Sequence, residues 1–169
     1  MQIKDNDKGV TLIELIIVIG LLVVVLAVLY NIFMVSQKSF QIGIDKSIVQ
    51  QDARVCSNKI TDELKLAKTV SLTEPTGEYY RISLKPNGTT VYKSVIITKY
   101  SEGVAAEQEF GSYIQSITFT TKTTNSKVVQ FDMVVTTGKQ TIPINSSVQL
   151  INTTADLTTS SSQVFYTKY

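Results

Sequence analysis

Glu14 is the only charged side chain in a run of 26 residues, Val10 to Val35. A carboxylate within an apolar helix costs about 2.5–3.5 kcal/mol on insertion scales, so one with no compensation is unfavourable. A partner cation and a short path to the headgroups are the two ways to relieve it. Elsewhere the chemistry is sparse. Ser94 and Thr98 carry hydroxyls of the kind used as nucleophiles, but the chain has no histidine to activate them. Glu102, Glu107 and Glu109 are expected in one charged loop, which makes neither a paired-acid site nor a recognisable calcium loop. Cys56 is the single cysteine, so neither an intrachain disulfide nor a cysteine metal cluster can form, and it is expected to be a small buried hydrophobe. These residues call for no cofactor and no metal, and an enzyme is not expected.

The elements that position Glu14 are legible from the front of the chain. Met1–Gly9 is short and polar, with Lys4 and Lys8 set against Asp5 and Asp7. The apolar run that follows would span ~39 Å as a helix, enough to cross a hydrocarbon core of ~30 Å. It is longer than the apolar region of a secretory signal and lacks a clean small-residue cut site, so it is expected to be retained as a membrane helix over residues 10–35. From Ser36 to Leu72, Phe40, Ile44, Ile48, Val55, Ile60, Leu64, Ala67 and Val70 recur mostly three, four or seven apart. That spacing predicts an amphipathic half-helix over residues 36–72 with one buried stripe, including Val55, Ile60, Leu64 and Ala67. One helix is thus expected from Thr11 to Leu72, roughly 60 residues long, ended by Glu74-Pro75-Thr76-Gly77.

From Tyr79 the period becomes two. Strands are expected at Tyr80–Leu84, Ser94–Tyr100, Tyr113–Lys122, Lys127–Thr137 and Gln140–Leu150. Turn chemistry lies at Lys85-Pro86-Asn87-Gly88-Thr89, with a return through Thr90-Val91-Tyr92, and short connections lie at Asn125-Ser126 and Gly138-Lys139. The Thr/Ser-rich stretch Asn152–Ser162 is expected to be loose, with an edge strand at Val164–Tyr166. The fold class is α+β: a long N-terminal helix packed on an antiparallel β domain over residues 79–151. A net charge of +2 and scattered lysines give no clear nucleic-acid site.

Lys8-Gly9-Val10-Thr11-Leu12-Ile13-Glu14-Leu15 resembles the class III signal of type IV prepilins and pseudopilins. The resemblance implies a leader of residues 1–9, cleavage between Gly9 and Val10 by prepilin peptidase, and N-methylation of Val10. It further implies that Glu14 meets the N-terminal amine of a neighbouring subunit during assembly. The chain departs from the common pattern in having Val10 where phenylalanine is most frequent. It also has Asn31 near the position of the helix-breaking proline of many major pilins, and with one cysteine it cannot form the C-terminal disulfide loop of many Gram-negative pilins. Residues 36–169 would then be the globular headgroup. Within it, Gln51-Asp52-Ala53-Arg54, Asp62-Glu63-Leu64, Ile114–Thr120, Val128–Val135 and Val148–Asn152 resemble minor subunits of the PilW and general-secretion J type. The partners this implies are prepilin peptidase, other pilin subunits and the assembly platform in the cytoplasmic membrane. The implied location is that membrane before assembly and an extracellular filament afterwards. A major pilin, a type II secretion pseudopilin, a competence pseudopilin and a membrane-anchored β-rich binding module remain alternatives. DNA or a host surface stays open as a ligand of the β domain.

Overall fold

The computed structural model describes residues 9–86, 92–121, 126–151, 153–155, 157 and 159–169. Met1–Lys8 of the expected leader, Asn87–Thr89 of the expected turn with Thr90 and Val91, and Lys122, Asn125 and Asn152 lie outside them. The chain divides into two units, Met1–Gly43 and Ile44–Tyr169.

A single helix, α1, runs from Leu12 to Lys65. It contains no proline, and its only glycines are Gly20 and Gly43. Within the first unit its apolar side chains from Leu12 to Val35 are exposed, and the helix is long and apolar enough to cross a membrane. At Asn31 the side-chain amide donates to the Ala27 carbonyl at 3.0 Å, so this polar group is satisfied on its own helix and the helix continues through it.

The helix ends seven residues before the expected Leu72. Ala67 N–H bonds back to the Leu64 carbonyl, and Lys68 N–H then donates to the Thr167 carbonyl at 2.7 Å, which draws the chain into the sheet. The next residues form strand β1, Thr69–Ser71. Ala67 and Val70 do stay buried, but as a turn and a strand residue. The β-branched pair Thr69-Val70 suits a strand better than a last helical turn once backbone partners are available.

Six further strands follow: β2 Tyr79–Pro86, β3 Lys93–Ser101, β4 Val104–Thr121, β5 Val128–Thr136, β6 Thr141–Gln149 and β7 Val164–Thr167. They form one antiparallel seven-stranded sheet in the order β1-β7-β2-β3-β4-β5-β6. The α+β reading therefore holds, with three corrections. The expected charged loop is mostly strand: only Glu102 and Gly103 turn, both at positive φ, while Glu107 and Glu109 sit in β4 opposite Thr98 and Ile96. Strand β7 is not an edge, because it pairs with β1 on one side and β2 on the other. The Thr/Ser-rich stretch is partly fixed, since Ala155 exchanges backbone bonds with Ser126, Ser161 with Phe119, and both Ala155 and Leu157 are buried.

The core of the second unit lies between α1 and one face of the sheet. Val49, Ala53, Cys56, Ile60 and Leu64 are its helical layer, spaced four, three, four and four. Ile82, Ile97, Ile114, Phe119, Phe131 and Met133 meet them from the strands. Val55, expected in this stripe, is about half exposed, and Phe40 and Ile44 are exposed too. A carboxylate fastens the helix to the sheet. Between Phe110 and Ile114 the β3–β4 register slips, and the freed N–H groups of Ser112 and Tyr113 donate to Asp52 Oδ2 at 2.7 and 3.0 Å. Gly111, at φ +66°, turns the chain there, where an added Cβ would lie 2.6 Å from Cys56 Sγ.

Candidate functional site

The start of α1 brings together the residues singled out by sequence. Gly9, Val10 and Thr11 precede the helix in non-helical backbone, and all three are exposed. A Cβ built on Gly9 meets nothing within 4 Å, so nothing in the local fold requires glycine at that position.

Thr11 is the N-cap. Glu14 N–H donates to Thr11 Oγ1 at 3.3 Å, Thr11 N–H donates to Glu14 Oε2 at 3.0 Å, and the Thr11 hydroxyl donates to the same oxygen at 2.9 Å. Leu15 N–H bonds to the Thr11 carbonyl and closes the first turn. This is a reciprocal capping box, in which each residue satisfies a backbone N–H that the helix start would otherwise leave unpaired. It changes the physical problem posed by Glu14. The carboxylate sits at the positive end of the helix with two donors of its own chain, so compensation begins before any other molecule arrives. Thr11 was not among the residues assigned a role above. Its signal was the Thr-x-x-Glu spacing immediately before an apolar run.

The other candidates all belong to the second unit. Ser94 and Thr98 are fully buried in β3, and their hydroxyls have no hydrogen-bond partner, so a substrate could not reach either without opening the sheet. Glu107 pairs with Lys85 at 2.8 Å, which raises the Lys85 pKa through that hydrogen bond and charge. Among the described residues there is no group of three His, Cys, Asp or Glu side chains arranged to hold a metal. Cys56 is fully buried; burial first and the Asp52 charge second push its thiol up to about 12, so it stays protonated and unreactive near neutrality.

A family model described as the prokaryotic N-terminal methylation motif matches residues 4–30. The match spans Gly9, Val10, Thr11, Glu14 and most of the exposed apolar helix, and it supports a type IV pilin-like precursor of the kind that prepilin peptidase processes and that assembles with other pilins. Such proteins are structural subunits. Together with the apolar helix, the motif fits membrane anchoring before assembly into a filament. No curated protein and no solved structure matches the chain.

Proposed function

We propose that this chain is a minor subunit of a type IV pilus or pilus-like filament, used at initiation or at the tip. Prepilin peptidase cuts between Gly9 and Val10, the new Val10 amine is methylated, and the subunit leaves the cytoplasmic membrane for the filament through its apolar helix. The observation that carries the reading is the capped helix start within the matched segment: an exposed, non-helical Gly9–Val10 bond lies directly ahead of a membrane-length apolar run, Val10 to Val35, whose one carboxylate, Glu14, is already oriented.

Each residue then has a separate task. Gly9 is free of any demand from its own fold, which suits a position selected by a protease cleft. Thr11 is a positioning residue that points Glu14 toward the helix start. Both Thr11 donors converge on Oε2 of Glu14. The charged group can therefore accept an incoming ammonium as well, and the Val10 amine of a neighbouring subunit is the cation that cleavage creates. The minor role draws on the resemblance of residues 51–70 and the later strands to minor subunits.

Two variants and an abundance measurement test this. Gly9→Leu should leave the leader attached and hold the chain in the membrane, and because the site is open, the fold should be unchanged. Glu14→Leu should insert normally, since loss of a charge eases insertion, yet fail to support filament initiation. Efficient processing of Gly9→Leu would overturn the cleavage assignment. In sheared filaments the chain should be far scarcer than the principal subunit; dominance there would instead make it the major pilin.

A further inference from the structure

The second unit contains a cleft of about 380 Å³ in which Lys59, Lys99 and Lys168 surround the ring of Tyr80 and the carboxylate of Glu63. Their charges do not cancel. Glu63 accepts from Tyr166 at 2.5 Å and pairs with Lys168 at 2.5 Å and Lys59 at 3.3 Å. Burial acts to raise its pKa, but the hydrogen bonds from Lys168 and Tyr166 outweigh this and hold it below the usual glutamate range. One carboxylate thus faces three ammonium groups. The acidic residues of β4 do not make up the difference, because side chains alternate along a strand. Ala106 and Gln108 line the cleft, opposite Lys99 and Ile97, while Glu107 between them and Glu109 just beyond belong to the other face.

The cleft also has an organic wall. Tyr80 is stacked on Tyr166 with centroids 5.2 Å apart, which fixes its ring, and Lys168 and Lys99 lie 4.8 and 5.9 Å from the Tyr80 centroid. Ile97 and Ala106 supply apolar surface, and Gln108 offers an amide to a hydroxyl. Lysines act as point charges suited to phosphate, and the volume, at the small end for ligand clefts, suits a monosaccharide derivative. The cations are confined to one cleft rather than drawn out in a stripe, which disfavours a nucleic-acid strand.

We propose that this cleft binds a small phosphorylated sugar, its phosphate among Lys59, Lys99 and Lys168 and its ring against Tyr80, Ile97 and Ala106. This is independent of how the N-terminus is processed. The full chain in a non-ionic detergent is titrated calorimetrically with glucose 6-phosphate at about 0.05 M ionic strength, where screening is weak. Saturable binding is expected, tighter than that of inorganic phosphate. Among the described residues Lys99 makes no ion pair, so Lys99→Gln removes a charge without breaking one and should weaken binding about fivefold, whereas Lys99→Arg retains it. Glu63→Gln removes the competing negative charge and should tighten binding about threefold, a gain that a merely structural role would not give. The proposal is overturned by an absence of saturable binding, by unchanged affinity in Lys99→Gln, by weaker binding in Glu63→Gln, by inorganic phosphate binding equally well, or by a single-stranded oligonucleotide binding in preference.

Discussion

Gly111→Ala should be among the most damaging single-methyl changes available in this chain. Two independent costs add. The residue holds φ +66°, where a Cβ costs about 1–2 kcal/mol against the right-handed regions. The new methyl would also stand 2.6 Å from Cys56 Sγ, with Asp52 Oδ2 at 3.4 Å and Ile114 Cδ1 at 3.6 Å. Cys56 is fully buried in the helix layer, so rotating its sulfur away would drive it into other core side chains; overpacking of this kind costs about 1–3 kcal/mol. The sum is about 2–5 kcal/mol. The cost falls where α1 meets the β4 bulge, so the Asp52 bonds should weaken with it. Urea unfolding of the full chain in detergent, followed by the near-ultraviolet dichroism of its tyrosines, measures the loss. Adding Cys56→Ala removes the clashing sulfur and leaves only the backbone term, so the double-mutant cycle should return a favourable coupling of about 1–3 kcal/mol. A Gly111→Ala protein within about 0.5 kcal/mol of the parent, or a cycle with no coupling, would refute the close helix–strand contact.

Asp52→Ala should cost about 1–2 kcal/mol in the same assay, because it removes the charged acceptor of the Ser112 and Tyr113 N–H groups, and Asp52→Asn should cost less because one acceptor remains. Leu64→Asp places an unpaired charge at a fully buried position and should abolish the cooperative tertiary transition; a well-folded variant would mean that Leu64 does not face the sheet. Stability should fall as pH rises from the ordinary thiol value of 9.0 toward about 12, because the unfolded chain ionises Cys56 while the folded one keeps it neutral. Tyr166, raised first by burial and then by Glu63, adds to the same alkaline loss. In urea titrations between those limits Cys56→Ala should show a shallower pH slope than the parent, and an identical slope would contradict the burial of the thiol.

The helix, its membrane-length run and most of the strands were legible because each depends on local periodicity. Glu14 stood out because it interrupts an apolar segment, yet Thr11 was read only as the first helical residue and as part of the neighbouring motif, because a cap is visible only when the first turn is considered as a hydrogen-bonded unit. The helix end was misplaced because Ala67 and Val70 keep helical spacing while the β7 backbone, almost a hundred residues on, takes the chain into a strand. Val55 was misassigned because this half of α1 carries apolar residues on more than one side, and only the sheet selects Val49, Ala53 and Cys56 as the buried face. Glu107 and Glu109 suggested a loop because the outward face of a long strand can be acidic. The place of β7 between β1 and β2 and the burial of Ala155 and Leu157 depend on pairing between distant segments, which no local pattern encodes.

The most direct test of the filament reading is the intact mass and N-terminal sequence of the protein recovered from cells that assemble it. Val10 should be the first residue, carrying one added methyl, with Met1–Gly9 absent. A chain that keeps Met1–Gly9 while its apolar helix is membrane-inserted would contradict that reading and leave a single-pass anchor for the β domain in its place.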